Sequence, residues 1–382
     1  MKGENMKILI APDSFKGSLS SRELCRAIRH GIEKVAEAEV VEVPISDGGE
    51  GFLESICVSK PLQMESVNVK DPLGRIIRAE MAFDPTRQTA FIEMAKSTGL
   101  TLVSENERNP YQSFSYGVGD FVLHGLDKGL RTFIIGLGGS ATNDAGIGML
   151  LELGVVFLDA DGNPVRIDSL ADIRKIASLD ISRMDSRLFD CKFILATDVN
   201  NPLCGRNGAT YVFGPQKGIA KKDLQGIDNI LSHYGAVLEK QFQKELKNRP
   251  GAGAAGGIPV SFLALFETEI RPGIEIILEN AKLKELLPEM DFVITGEGRL
   301  DRQTFSGKVI KGICDLANSC SVPVIAICGS IDCSRQEIKK MGLLAAFSIC
   351  KGPTSLEESM NHAGELAEEL AENLGELMAG RK

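Results

Sequence analysis

The chain has 382 residues, enough for two hydrophobic cores, and 43% hydrophobic with 25% charged residues at a mean hydropathy of zero is the make-up of an ordinary soluble globular protein. A formal net charge of −9, with no Trp and four Tyr, argues against polyanion binding and against an aromatic platform, so nucleic acid is not an expected partner. No apolar run reaches the roughly 18 residues of a membrane span. Nine singly scattered cysteines, with no CxxC pair and no signal peptide, point to reduced thiols in a cytoplasm.

Residues 1–5, "MKGEN", precede a second Met and read as a dispensable extension. "MKILIAP" is a first strand, followed by the polar loop "DSFKGSLSS" and a helix over 21–37 with Leu24, Ile28, Ile32 and Val35 on one face. "EVVEVPI" is the next strand and runs into "SDGGEG", which is βαβ grammar and predicts a parallel sheet. Residues 65–95 alternate apolar and polar around "DPLG" and "DPTR", the pattern of antiparallel hairpins. A helix over 117–128, the strand "TFIIGL" and a helix from about Ala145 follow, then a hairpin at "VVFLDADGNPV" and the strand "KFILATDV". A polar helix spans 221–246. After Pro272 the α/β grammar returns in "DFVITGEG", helix 307–320, "VPVIAICGS", helix 334–341, "LLAAFSI" and a last helix from Ser355.

The two chain ends thus share one grammar, and the hairpin-bearing middle has another. This predicts a discontinuous domain of residues 1–69 and 281–382, with residues 70–280 inserted as a second α/β domain of mixed sheet. Leu366, Leu370, Leu374 and Leu377 recur at helical spacing and read as core rather than a dimer seam, which leaves a monomer or homodimer. His30, His124, His233 and His362 are not spaced as a metal pair, and Cys314/Cys320 and Cys328/Cys333 sit in apolar surroundings as core residues, so a zinc site is not expected.

"GAGAAG" at 251–256 satisfies GxGxxG as a string, but a polar helical stretch precedes it where the dinucleotide fingerprint needs a strand. Gly307-Lys308 lacks the rest of a Walker A loop. What remains is a set of six loops, each joining glycine to a carboxylate or a basic group. They are "APDSFKG" (11–17), "SDGGEG" (46–51), "GGSATNDAG" (138–146), "TDVNNPLCG" (197–205), "GPQKG" (214–218) and "TGEGRLDRQTFSGK" (295–308). They hold Asp13, Asp47, Glu50, Asp144, Asp198, Glu297 and Asp301 beside Lys16, Arg206, Lys217, Arg299 and Lys308, several just past a strand where open α/β sheets bind ligands. Carboxylates for Mg²⁺, cations and glycine N–H groups for phosphate, and one carboxylate for an acceptor hydroxyl are the parts of phosphoryl transfer.

In order and nearly in wording, these loops resemble those of the bacterial glycerate kinases of the first structural class. "KILIAPDSFKGSLSS", "SDGGEG", "RNP…YGVG", "GLGGSATNDAGIGML", "ATDVNNPLCG", "FGPQKG", "PGAGAAGG" and "ITGEGRLDRQTFSGK" carry the likeness, from residue 6 to the last helix. It implies two α/β domains, one Rossmann/flavodoxin-like, with the active site in the cleft between them. It also implies that ATP, with Mg²⁺, phosphorylates D-glycerate, giving 2-phosphoglycerate in many members; the alternatives are a kinase for another small hydroxy acid and a non-catalytic sugar-acid sensor on the same fold. Asp198, directly after "FILAT", is the favoured general base or acceptor-orienting group, with Lys16 and Arg299 neutralising phosphate charge and Glu297 and Asp301 favoured to hold the metal; which carboxylate is base and which holds metal stays open. Asp13, Ser14, Asp47, Gly48, Gly49, Gly138, Gly139, Ser140, Thr142, Asn143, Asp144, Arg206, Lys217 and Lys308 are the expected substrate and phosphate contacts. Two positions depart from the family pattern: Ser46 stands where members usually have Ala, and Ser113-Phe114 where they have a Thr pair.

Overall fold

A computed structural model describes residues 6–46, 49, 51–59, 62–305 and 308–380, the side chains at 58, 59, 303, 305 and 308 excepted. Its strands in chain order are β1 (Met6–Ile10), β2 (Ala38–Glu42), β3 (Gln63–Lys70), β4 (Ile76–Asp84), β5 (Thr89–Glu93), β6 (Thr132–Gly136), β7 (Val156–Leu158), β8 (Ser178–Asp180), β9 (Lys192–Ala196), β10 (Glu267–Arg271), β11 (Phe292–Leu300), β12 (Val324–Ile331) and β13 (Ala345–Ser348). The chain divides into a terminal unit, residues 1–47, 54–61 and 272–382, and a middle unit, residues 48–53 and 62–271. β3 pairs along its whole length with β4 inside the middle unit, which puts that boundary before residue 63. The helix Gly273–Asn280 lies with the terminal unit, where Asn280 Nδ2 donates to Ile56 O at 3.1 Å.

The terminal unit is an open sheet in the order β13-β12-β11-β1-β2, every pair parallel. Parallel strands are buried on both faces, hence the near-continuous apolar runs "ILI" and "VITG". The strand order reverses between β1 and β11, so the loops after those two strands leave the sheet side by side at its carboxyl end. Helix Ser21–Val35 starts from a capping box in which Ser20 and Glu23 satisfy each other's backbone N–H, and its Leu24, Ile28 and Ile32 fill the core. Helix Ala363–Ala379 packs so closely on it that a Cβ at Gly31 would lie 2.1 Å from Glu368 O. Leu374 is buried there and Leu366 and Leu370 pack on the same core, but Leu377 is 58% exposed, so the core reading of that leucine row fails at its last member. The expected single last helix is two, Leu356–Asn361 and Ala363–Ala379, with His362 leaving helical geometry between them.

The middle unit has a mixed sheet, β10-β9-β6-β5-β4-β3, in which the first four strands are parallel and β4 and β3 fold back as antiparallel hairpin strands across the "DPLG" and "DPTR" turns. The hairpin expected over 155–165 is reduced to one bridge, Leu158 to Pro164, and β7 pairs instead with β8. Pro164 has no N–H to continue the ladder. Phe133, Phe193, Phe262 and Phe266 form a chain of ring contacts through the core under the parallel strands.

Among the described residues no helix is long and apolar enough to cross a membrane.

Candidate active site

Each unit gathers one set of the glycine and carboxylate loops at the carboxyl end of its parallel strands. In the terminal unit, β1 and β11 run in register Ile10 to Ile294, so Asp13 and Glu297, three residues beyond each, stand at the same height. The backbone confirms it, with Asp13 N donating to Gly296 O at 2.8 Å. Asp13 Oδ1 accepts from Ser14 N at 2.7 Å, and Ser14 Oγ lies 3.4 Å from the same oxygen. Lys16 is exposed.

Glu297 is half-buried, and Thr304 Oγ1 donates to its Oε1 at 2.5 Å. The same Oγ1 accepts from Asp301 N at 3.1 Å, which ties the loop after β11 back onto the strand. Burial pushes the Glu297 carboxyl up to about 7, Asp13 and Asp301 push in the same direction, and the Thr304 bond and Lys16 oppose them. A carboxyl crowded by two others is relieved by a cation. Among the described residues, however, no group of three or more His, Cys, Asp or Glu is arranged to hold a metal ion. Glu297 and Asp301 therefore suit Mg²⁺ only as two carboxylates completed by phosphate oxygens, the usual manner of binding Mg²⁺ with a nucleotide. Arg299 is exposed and spans Asp301 Oδ2 at 3.4 Å and Asp332 Oδ2 at 3.0 Å.

In the middle unit β6 and β9 run in register Gly136 to Ala196, so Gly138 and Asp198, two residues beyond each, leave the sheet together. A Cβ at Gly138 would lie 2.1 Å from Gly49 Cα, so the 136–146 loop meets the backbone of Gly49 directly. Glycine is required there by the chain's own backbone before any ligand is considered. At Gly256 (φ +72) a Cβ would lie 2.1 Å from Thr142 O, and Gly256 O accepts from Ala145 N at 2.9 Å. "GAGAAG" is thus a brace for the 142–146 loop, consistent with the absence of a strand before it.

Several expected ligand contacts turn out to face inward. Asp144 is fully buried, and its Oδ2 accepts at 2.9 Å from each of Ser115 N, Ser115 Oγ and Gly148 N. It is the anion at the start of helix Ile147–Glu152, the place the sequence reserved for a phosphate or a substrate carboxylate. Burial holds its carboxyl above the ordinary value against those bonds. Lys217 is buried too, and its Nζ donates to Ser140 Oγ at 2.9 Å and Thr142 O at 2.7 Å. Burial pushes that ammonium down to about 7, against the pull of Asp144. Asn143 Nδ2 donates to Thr210 Oγ1 at 3.1 Å. Asn143 Oδ1 and Thr142 Oγ1 are buried without a hydrogen-bond partner among the described residues. Ser140, Asp144 and Lys217, and Asn143 through its Nδ2, therefore shape the loop, and at its outer surface Gly139 is exposed and Gly138 half-buried. For Asp144 the physical reason is that a short polar side chain in a glycine-rich loop readily satisfies nearby backbone N–H groups.

Asp198 is half-buried at the start of its loop, and Arg206 is exposed nearer the tip. That loop is fixed by Asn201 Nδ2 on Asn207 O at 2.7 Å and by Gly205 N on both oxygens of Asp228 at 3.1 Å. Asp47, Gly48, Glu50 and Gly307 lie outside the described residues, as does the side chain of Lys308. Two positioning residues lie outside the set expected from the sequence. Thr304 orients Glu297, and Glu93, 3% exposed at the end of β5, accepts from Leu53 N at 3.1 Å and Gly51 N at 3.4 Å, anchoring the end of "SDGGEG". A lone carboxylate closing the apolar strand "TAFIE" was the available signal. Phe114, at a position where the family pattern has Thr, is a core residue with its ring 5.5 Å from that of Tyr116.

An open parallel sheet with carboxylate and lysine loops at its switch point, together with a mixed-sheet unit carrying glycine loops and a carboxylate, defines a two-unit α/β small-molecule kinase. The comparisons with known proteins specify which. The chain belongs to the glycerate kinase family, whose model matches residues 8–379. It is 39% identical to a glycerate kinase of Halalkalibacterium halodurans over 98% of this chain and 99% of that one. It is 40% identical to the glycerate 2-kinase of Escherichia coli K12 over 94% of both chains. A crystal structure from Salmonella typhimurium LT2, assigned as a glycerate kinase 2, superposes with a TM-score of 0.85 at 38% identity, covering 99% of this chain and 100% of that one.

Proposed function

We propose that the protein transfers the γ-phosphoryl group of Mg-ATP to D-glycerate in the cytoplasm, giving 2-phosphoglycerate. The observation that carries this reading is the 40% identity to a glycerate 2-kinase over 94% of both chains.

The terminal unit takes the nucleotide. Exposed Lys16 meets the phosphates, and Glu297 and Asp301 supply carboxylate oxygens toward Mg²⁺, which neutralises the charge of the leaving phosphates. Asp13, held by Ser14 beside Glu297, keeps the site anionic enough to favour the metal. Arg299 exchanges part of its ion pairing with Asp301 and Asp332 for phosphate. The middle unit takes glycerate, its carboxylate against the Gly138–Gly139 backbone and Arg206. Asp198 orients the 2-hydroxyl and accepts its proton as the oxygen attacks the γ-phosphorus and the bond to the β-phosphate oxygen breaks, releasing ADP.

A coupled assay of ADP release, run over a panel of small hydroxy acids, tests the reading directly. D-Glycerate is expected to be turned over fastest, and phosphorus NMR of the product is expected to show the ester on carbon 2. Robust turnover of another hydroxy acid with none of D-glycerate overturns the substrate and leaves the reaction class standing.

A further inference from the structure

The loop after β1 borders a hollow of about 560 Å³, lined by Gly17, Ser18, Leu356, Glu357, Met360 and Asn361, all in the terminal unit. Small-molecule sites run from roughly 300 to 1,000 Å³, and this volume lies in that range. Ser18 Oγ donates to Met360 O at 2.7 Å, which locks the loop to the helix Leu356–Asn361 and fixes the walls. Gly17 has φ +78, and a Cβ there would lie 3.2 Å from Met360 Cε, the flexible end of that side chain. Leu356 is 76% exposed, more than any other large hydrophobic side chain among the described residues. Such a leucine on the rim of a hollow, with a flexible thioether opposite, is apolar surface waiting for a flat apolar face.

A second hollow, of about 640 Å³, is lined by Asp301, Arg302, Asp332, Cys333, Ser334 and Glu337 among others. It borders Asp301, the residue assigned to Mg²⁺, but its lining is charged or polar apart from Ile331 and Cys333, and Arg302 is already paired with Glu337 at 3.0 Å, so it offers a purine little apolar surface. It is the poorer home for a nucleotide.

We propose that the hollow beside Gly17 is the adenosine site, a reading that rests on the kinase function above and adds where the base is held. The purine lies against Leu356 and Met360, Asn361 offers an amide donor and acceptor to its edge, and Glu357 accepts from the ribose hydroxyls. The triphosphate leaves past Lys16, the residue next to Gly17, toward Glu297, whose carboxyl lies within electrostatic reach of Lys16.

The test is calorimetric, on the full-length protein without glycerate. Mg-ATP and Mg-tripolyphosphate, which has the charge but no base, are titrated into the unaltered protein and into Leu356→Asp, Asn361→Ala and the control Leu377→Asp. The expected result is a loss of about tenfold or more in ATP affinity for the first two variants, near 1.4 kcal/mol. Tripolyphosphate affinity should be unchanged, and the control should bind ATP as the unaltered protein does. ATP binding that both hollow variants leave intact overturns the site and spares the kinase reading. An equal loss of ATP and tripolyphosphate overturns it as well, because the effect is then on the phosphates. An unaltered protein that binds no ATP sinks the site and the kinase reading together. Since Leu356 and Asn361 are at the surface, circular dichroism is expected to show each variant folded as before.

Discussion

Lys217 carries its ammonium group into the interior of the middle unit, where Ser140 Oγ and Thr142 O receive it. Folding lowers its affinity for a proton, from the ordinary 10.5 to about 7. Between those two values the unfolded chain holds the extra proton, so this residue makes stability rise with pH from about 7 toward 10.5. The urea midpoint of the unaltered protein should climb more steeply over that interval than that of Lys217→Met. Parallel pH curves would show that the buried amine is not strained in its charged form. The substitution also strands Thr142 O inside the protein, at a cost of about 1–3 kcal/mol. Asp198 makes the opposite case, a half-buried loop carboxylate with a chemical task. Asp198→Asn should lower kcat by about 10²–10⁴-fold and shift Tm little. Near-normal turnover with a raised Mg²⁺ requirement would instead make Asp198 a metal holder, and an unfolded variant would make it scaffold.

At the scale of elements, four loop segments of the middle unit behave as one brace. Gly256 touches Thr142, Gly253 comes so near the 197–208 loop that a Cβ would lie 2.2 Å from Pro202 O, and Gly138 touches Gly49. Gly256→Ala drives a methyl into Thr142 O at a positive φ, so the 140–144 segment has to move. The expected outcome is a lower Tm together with a raised KM for glycerate, since the shifted segment adjoins the Gly138–Gly139 backbone proposed to meet its carboxylate. An unchanged KM in a destabilised protein would separate the brace from the substrate site. Such links were illegible in the sequence for a plain reason. Lys217 and Ser140 are 77 residues apart and Asp144 and Ser115 are 29 apart, so no local pattern joins them.

For the whole molecule, the assignment of nucleotide to one unit and glycerate to the other makes a prediction that hydrogen exchange can check. Mg-ATP should slow exchange at residues 11–19 and 296–304, and D-glycerate at 138–141 and 198–206. Protection by glycerate confined to the terminal unit would reverse the assignment. The larger layout was legible because β1 and β11–β13 repeat one strand–loop–helix grammar while β3–β5 alternate as hairpin strands. The edges of that layout were not. β3 reads equally well as the end of one domain or the beginning of the next, and only its pairing with β4 chooses.

The sequence by itself determined most of the elements, the 155–165 hairpin and the single last helix excepted, the strand-end placement of Asp13, Lys16, Asp198, Glu297 and Asp301, and, through eight ordered motifs, the family. Those are local properties, written in hydrophobic period, turn chemistry and short strings. Tertiary structure decided which polar residues of the loops face outward. Asp144 and Lys217 have the residue types of ligand contacts, yet one caps a short helix from inside and the other ties the glycine loop to the 215–217 turn. A buried polar group must find its partners wherever the fold brings them, and the distance along the chain to those partners is what a sequence does not record.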